Sequence, residues 1–137
     1  MTRIDARDRL IVALDVPSAG EAEALVDRMG EQVRFVKVGL ELYTVAGPDI
    51  VRKLVDRGKR VFLDLKFLDI EETVRRATAR VAAMGAAFLT VHANRKALIA
   101  AVQGRGQSDL KLLAVTVLTN FDGDDLREMG IQRSVQD

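Results

Sequence analysis

Short apolar runs alternate along the chain with stretches in which apolar residues recur at helical spacing. The apolar runs predict five strands, at residues 9–16, 35–42, 59–67, 86–93 and 110–118. Apolar residues occupy both faces of each run, as in parallel strands that are covered on both sides. Strict alternation of strands with helices predicts parallel β/α units joined by right-handed crossovers.

The helices between these strands are predicted from their start and stop signals. Ser18 and Glu21 form a capping-box pattern at the start of the first helix, and Pro48 suits the first position of the second. Gly104 is placed to end the fourth helix. The predicted helices span about residues 18–30, 48–58, 71–84 and 94–103, with a short turn or helix near 124–129 and the opening of another helix at 134–137.

This alternation fits either an open doubly wound sheet or a β/α barrel. A doubly wound nucleotide-binding fold carries a glycine-rich loop after its first strand, whereas residues 15–20 read Asp-Val-Pro-Ser-Ala-Gly. No Walker-type motif occurs in the sequence, so the barrel is favoured. A complete barrel takes roughly 200 residues or more. We therefore predict one α/β domain, residues 1–137, of the (β/α)8 TIM-barrel type, truncated to about the first five β/α units.

The composition narrows the classes of function. With 21 basic and 20 acidic residues, the chain has no polybasic surface for nucleic acid. The absence of cysteine excludes a thiolate metal site and a cysteine nucleophile, and the single histidine excludes a multi-histidine metal site. No secretory signal or membrane-length apolar run is visible, so we expect a cytoplasmic protein with no membrane partner.

Polar side chains lie where the predicted strands end, which is where β/α barrels carry their active sites. Asp64 and Lys66 share one face of the third strand, because strand side chains alternate. Opposite charges on an inward face are costly unless they pair, so we expect a neutral array that also includes Lys37 and Asp69. Three further polar residues end the first, fourth and fifth strands: Asp15, His92 and Thr119.

Each of these candidates also has a purely structural interpretation. The charges could form an ion-pair network that only fixes packing, or lie in solvent at a frayed strand end. Asp15 could cap the following helix, Thr119 could initiate a turn, and His92 could be a polar strand-end residue without a chemical role.

Five segments, in chain order, resemble one known enzyme family. Residues 64–73 read Asp-Leu-Lys-Phe-Leu-Asp-Ile-Glu-Glu-Thr, which resembles the D-x-K-x-x-D-I-x-x-T signature of the orotidine 5′-monophosphate decarboxylases. Segments 10–15, 35–39, 90–93 and 114–119 resemble the same family in the same order. The resemblance implies a homodimeric barrel enzyme that converts orotidine 5′-monophosphate to uridine 5′-monophosphate in pyrimidine biosynthesis, with no metal and no organic cofactor.

The resemblance also implies a role for each matching residue. Lys66 would donate a proton to C6 of the pyrimidine, and Asp64 would lie beside the departing carboxylate. Lys37 and Asp69 would complete the charge array, with Asp69 reaching a neighbouring subunit's site across the homodimer. The implied substrate contacts are Asp15 and Lys37 for the ribose hydroxyls, Thr73 for a further ribose contact and Thr119 for the pyrimidine ring; His92 has no definite role.

The chain departs from the family pattern in two respects. Leu68 stands where many members have histidine, and Glu71-Glu72 stand where many have Pro-Asn. The family's later loops, which grip the phosphate with a glutamine and an arginine, do not occur in these 137 residues. We therefore expect little or no catalysis by the chain alone, and an open fifth-strand edge that favours aggregation or the pairing of two copies.

Two alternatives remain open. A magnesium-dependent sugar-phosphate decarboxylase or synthase of the same superfamily shares the D-x-K-x-x-D pattern, although residues 70–73 and 91–93 favour the orotidine type. The chain could also be an inactive barrel fragment that serves as a folding or interaction unit.

Overall fold

The computed structural model describes residues 4–135. The strands are β1 (Ile11–Ala13), β2 (Phe35–Val38), β3 (Arg60–Phe67), β4 (Phe88–His92) and β5 (Lys111–Val115). The helices are α1 (Ala19–Met29), α2 (Leu40–Asp56), α3 (Glu71–Ala83), α4 (Arg95–Arg105) and α5 (Gly123–Glu128). Two short 3₁₀ turns, Ala6–Asp8 and Gly30–Gln32, precede β1 and β2.

The strands form one parallel sheet in the order β1-β2-β3-β4-β5. Each strand therefore lies beside the strand that precedes it in the chain. A doubly wound sheet reverses its strand order partway, and no reversal occurs among residues 4–135. The predicted barrel-type arrangement of about five β/α units is confirmed.

The hydrophobic core lies between this sheet and the helices that cover it. Val61 and Leu63 on β3 are fully buried in the core, and Leu42 of α2 is buried in the same cluster. Burial of side chains of this size contributes roughly 1.5–3 kcal/mol each. Phe62 and Asp64, at the alternate positions of β3, are only partly buried. Asp64 therefore projects from the opposite face of the sheet, which is the inner face of a barrel.

The second strand is shorter than predicted, and the helix after it is longer. β2 ends at Val38 instead of continuing to residue 42, and α2 already begins at Leu40. Gly47, at φ 63°, kinks α2 in its middle, so the predicted start at Pro48 corresponds to its second segment. The sequence Leu-Glu-Leu at residues 40–42 suits a strand as well as a helix, and burial of Leu42 against the core selects the helix.

The predicted end of the fourth helix is also wrong by two residues. α4 continues to Arg105 and ends at Gly106, whose φ of 56° suits glycine. Gly104 instead lies where α4 crosses α3, and a Cβ built on it would overlap the carbonyl oxygen of Arg75. The absence of a side chain at this position allows the two helices to approach closely.

The remaining differences concern the ends of elements. The first, fourth and fifth strands are shorter than predicted, and α5 covers 123–128 within the predicted region of a short turn or helix. The predicted helix opening at 134–137 lies partly outside the described residues, and positions 134 and 135 are not helical. No helix within residues 4–135 has both the length and the apolar character to cross a membrane.

Candidate active site

Four charged side chains form a line across the carboxyl ends of β1, β2 and β3. Lys37 Nζ lies 3.5 Å from Asp15 Oδ1 and 3.6 Å from Asp64 Oδ2. Lys66 Nζ lies 2.9 Å from Asp64 Oδ1. We call Asp15, Lys37, Asp64 and Lys66 the charge row, in which carboxylates and ammonium groups alternate and the formal charges cancel.

The parallel register of the strands brings the charge row together. Lys37 of β2 is paired with Ala13 of β1 on one side and with Phe62 of β3 on the other. Its side chain therefore lies between Asp15, which follows β1, and Asp64, which is two residues beyond Phe62. Gly39 leaves room for this contact, because a Cβ there would lie 3.2 Å from Asp15 Oδ1 and 3.7 Å from Lys37 Nζ.

Asp64 and Lys66 lie in a bulge of β3. Leu63 pairs with Leu89 of β4, and Phe67 pairs with Val91, so three residues of β3 face a single residue of β4. Lys66 has a φ of 50° and is the one non-glycine residue with positive φ among residues 4–135. Such a conformation costs roughly 1–2 kcal/mol for an L-residue, and strained residues of this kind cluster at functional sites.

Asp64 is the most enclosed member of the charge row, with 15% of its side chain exposed against 56% for Asp15. Burial raises the pKa of Asp64, but hydrogen bonds from Lys66 and Thr90 and the charges of Lys66 and Lys37 outweigh burial. The net result is a pKa below the ordinary value, so Asp64 is ionised at neutral pH. An anion is thus held between two cations at the inner face of the sheet.

Asp69 does not join the charge row within one chain. It follows the end of β3, is exposed, and accepts a hydrogen bond from the Ile70 backbone N–H at 2.7 Å. The fourth member of the neutral row is Asp15, for which the family resemblance implies ribose contact and the sequence also allows helix capping. Asp69 lies between two exposed apolar side chains, Leu68 at 57% and Ile70 at 71% exposure.

The other predicted site residues lie around this end of the sheet. Thr73 is exposed on the first turn of α3 and lines a small cleft together with Lys66 and Asp69. His92 is partly buried at the end of β4. Thr119 is exposed and follows the end of β5 at Val115.

Thr90 of β4 belongs to the site although the sequence did not predict it there. It is 5% exposed, and its hydroxyl bonds both Asp64 and the backbone of Lys66. The available signal was a hydroxyl two positions before His92 in an otherwise apolar strand, which puts it on the same face as His92.

The charge row lies neither in the cleft near the end of the chain nor at a cluster of metal ligands among residues 4–135. A cleft of about 960 Å³ is lined by residues between Phe121 and Val135, and no member of the charge row lines it. Among residues 4–135, no group of three or more His, Cys, Asp or Glu side chains is arranged to hold a metal ion. The two oxygens of Asp64 instead face the ammonium groups of Lys66 and Lys37.

A sequentially ordered parallel sheet with charged side chains at its strand ends defines a protein of the β/α-barrel class. Residues 8–137 match the orotidine 5′-phosphate decarboxylase / HUMPS family, and the chain belongs to this family. The resemblance that the motifs indicated is thereby confirmed.

Individual relatives agree with this assignment. The chain is 53% identical over 132 residues to an orotidine 5′-phosphate decarboxylase of Nitrobacter winogradskyi, with 96% of this chain and 55% of the relative covered. It is 51% identical to the orotidine 5′-phosphate decarboxylase of Rhodopseudomonas palustris strain HaA2, over 96% of this chain and 56% of the relative. The chain thus spans little more than half the length of these curated relatives.

A solved structure agrees as well. The crystal structure of orotidine 5′-phosphate decarboxylase from Lactobacillus acidophilus superposes with a TM-score of 0.83 at 38% identity. The superposition covers 91% of this chain and 60% of that chain. The β/α units of this chain therefore correspond to part of a barrel in that relative.

Proposed function

We propose that the chain carries the decarboxylating part of an orotidine 5′-monophosphate decarboxylase, which forms uridine 5′-monophosphate and carbon dioxide in pyrimidine biosynthesis. The observation that carries the proposal is the 2.9 Å contact between Lys66 Nζ and Asp64 Oδ1 at the inner face of the sheet. A reaction on a free nucleotide favours a cytoplasmic location. The family name of the chain and the names of its relatives support the choice of substrate.

The chemistry needs a fixed cation beside the reacting carbon. The bond between C6 and the carboxylate breaks, its electron pair stays on C6, and a proton must then replace the carbon dioxide. The Lys66 ammonium stabilises the developing negative charge and delivers that proton. The Asp64 carboxylate, whose Oδ1 lies 2.9 Å from Lys66 Nζ, holds this ammonium in place.

Asp64 lies beside the departing carboxylate in this proposal. Two carboxylates in contact repel each other in the bound substrate, and the repulsion is relieved as carbon dioxide leaves. The bulge and the hydrogen bonds around Asp64 hold it in place against this repulsion.

The substrate contacts in this proposal are those that the family resemblance implies. Asp15 and Lys37, which form an ion pair at 3.5 Å, bind the ribose hydroxyls. Thr73 adds a ribose contact from the first turn of α3, and Thr119 contacts the pyrimidine ring from the segment after β5.

The reaction uses no metal and no organic cofactor. A divalent cation would have to displace the two ammonium groups that face the oxygens of Asp64. The charge row therefore favours catalysis by fixed protein charges over the magnesium-dependent chemistry of the sugar-phosphate branch of the superfamily.

The active unit is a homodimer in which Asp69 is shared between subunits. Exposed Leu68 and Ile70 flank Asp69 and supply apolar surface that a second copy would cover. Asp69 of each subunit then completes the charge array of the other.

The test uses two forms of the protein, because the curated relatives are nearly twice as long as this chain. One form is the chain alone. The other, the joined chain, is this chain followed by the part of the Nitrobacter winogradskyi relative that lies after the matched region. Loss of the orotate absorbance is followed with orotidine 5′-monophosphate as substrate, with and without EDTA.

The proposal predicts turnover by the joined chain that EDTA does not change, and much weaker turnover or none by the chain alone. Turnover that requires added magnesium, or that occurs only with a sugar phosphate, would establish the alternative branch. A folded joined chain that acts on neither substrate would support the inactive-fragment interpretation.

A further inference from the structure

Thr90 occupies the one position of β4 that faces the bulge of β3. The pairs Leu63–Leu89 and Phe67–Val91 leave Asp64, Leu65 and Lys66 opposite Thr90 alone. A regular ladder cannot satisfy the backbone groups of three residues with one partner. Some other group must therefore bond the backbone within the bulge.

The Thr90 hydroxyl supplies that bond and a second one. Its oxygen accepts a hydrogen bond from the Lys66 backbone N–H at 2.9 Å. Its O–H donates to Asp64 Oδ1 at 2.8 Å, and the same oxygen of Asp64 accepts from Lys66 Nζ at 2.9 Å. One hydroxyl thus contacts the Asp64 carboxylate and the backbone of Lys66.

We propose that Thr90 is a positioning residue, which orients the Asp64 carboxylate and holds the backbone of Lys66 so that its ammonium lies beside that carboxylate. This inference rests on the proposed function, because it assigns Thr90 a role in the same reaction. Thr90 acts through Asp64 and Lys66 and takes no proton itself.

The rigidity of Thr90 suits it to this role. Thr90 is 5% exposed, and its backbone is registered with Leu113 of β5 on the other side of β4. The hydroxyl is therefore fixed by two neighbouring strands. The bond that it accepts also helps to offset the strain of Lys66, whose φ is 50°.

A second buried threonine provides a matched control. Thr78 of α3 is fully buried, and its hydroxyl has no hydrogen-bond partner among the described residues. Thr78→Val removes a buried hydroxyl without removing a hydrogen bond, whereas Thr90→Val removes two. The two substitutions make the same change in shape.

The first test measures Asp64 and Lys66 directly in this chain by NMR. Burial raises the pKa of Asp64, while Thr90, Lys66 and Lys37 lower it, so Thr90→Val should raise this pKa toward the ordinary value of 3.8. The same variant should speed hydrogen exchange at the Lys66 amide by roughly tenfold, as expected for the loss of one hydrogen bond. Thr90→Ser, which keeps the hydroxyl, and Thr78→Val should leave both values unchanged.

The second test measures the kinetics of the joined chain. Thr90→Val should lower kcat and leave KM nearly unchanged, and Thr90→Ser should restore kcat. The inference is overturned if Thr90→Val changes neither the Asp64 titration nor the Lys66 amide, or changes both without lowering kcat. If Thr90→Val does not fold, Thr90→Ala, which also removes the hydroxyl, decides: an Asp64 pKa and a Lys66 amide that both stay at the parent values contradict the proposal, and a raised pKa with faster exchange supports it.

A failure of the proposed function gives a different result. A joined chain that does not act on orotidine 5′-monophosphate overturns the proposed reaction. The titration and exchange measurements need no substrate, so they still decide whether Thr90 positions Asp64 and Lys66.

Discussion

Lys66 Nζ lies 2.9 Å from Asp64 Oδ1, and the two residues are separated by a single position in a bulged part of β3. Both charges of the ion pair come from the same strand of the chain. A charge arrangement that exists before substrate binds requires no reorganisation during the reaction. The bulge in β3 therefore contains both charged residues that the proposed chemistry needs.

The lowered pKa of Asp64 predicts a pH-dependent contribution to stability. Burial raises this pKa, and the bonds and charges from Lys66, Thr90 and Lys37 lower it further than burial raises it. The folded chain therefore releases the Asp64 proton more readily than the unfolded chain. The stabilisation is fully present above the unfolded pKa, which is near the ordinary value of 3.8, and is lost as the pH falls through the lower folded pKa.

Asp64→Asn is the variant that tests this contribution. Urea unfolding at a series of pH values should give a lower free energy of unfolding for the variant at neutral pH, because two lysines lose their shared anion. The difference from the parent chain should shrink below about pH 4. A difference that stays constant from neutral to acidic pH would contradict the role assigned to this ion pair.

Gly104 should not tolerate a side chain. Gly104→Ala places a methyl group against the carbonyl oxygen of Arg75 and within 3.0 Å of Thr78 Cβ, so the helices must separate. Overpacking of this kind costs roughly 1–3 kcal/mol. Gly20→Ala on α1 is the control, since no atom lies within 4 Å of its added Cβ, and the better helix propensity should stabilise by up to about 1 kcal/mol. Thermal unfolding that ranks the two variants in the opposite order would refute the packing argument.

Lys59 should contribute to stability through its buried ammonium group. Its Nζ donates to the carbonyl oxygens of Gly30 at 2.6 Å and of Val33 at 2.9 Å, which ties the turn before β2 to the start of β3. Lys59→Met keeps most of the apolar stem and should lower the free energy of unfolding by roughly 1.5–3 kcal/mol. Lys53→Met removes an exposed ion pair with Glu23 and should change it by no more than about 1 kcal/mol. Equal effects of the two substitutions in urea unfolding would argue against this role of Lys59.

Sharing of Asp69 between subunits can be tested by mixing two variants of the joined chain. Lys66→Ala and Asp69→Ala should each be nearly inactive alone. A mixed dimer contains one site with both residues intact, so mixing followed by subunit exchange should restore part of the activity. Activity that stays at the level of the separate variants, despite demonstrated exchange, would show that Asp69 does not act across subunits.

The order of elements could be predicted from the sequence because each strand and most helices carry their own signals. Apolar runs predicted the positions of all the described strands, and the capping pattern at Ser18 predicted the start of α1. In the structure, the Ser18 hydroxyl accepts a hydrogen bond from the Glu21 backbone N–H. The errors came from tertiary packing. Burial of Leu42 extended α2 toward β2, and the contact with α3 gave Gly104 a packing role instead of a helix-ending one.

The candidate site could be predicted in part for a similar reason. Alternation of side chains put Asp64 and Lys66 on one face, and the neighbouring strand brought Lys37 beside them. The bulge at Lys66 has no sequence signal, because a positive φ is expected of glycine or asparagine and not of lysine. Without the bulge, the role of Thr90 could not be derived.

In the proposed reaction, Lys66 supplies the proton of a decarboxylation that needs no cofactor. The most direct measurement is kcat/KM of the joined chain with orotidine 5′-monophosphate, compared with its Lys66→Ala and Lys53→Ala variants. The account predicts a loss of at least about 10²-fold for Lys66→Ala, the lower range for removal of a general acid, and no appreciable change for Lys53→Ala, which removes an exposed lysine of α2. A folded Lys66→Ala variant that retains the activity of the parent would contradict the account.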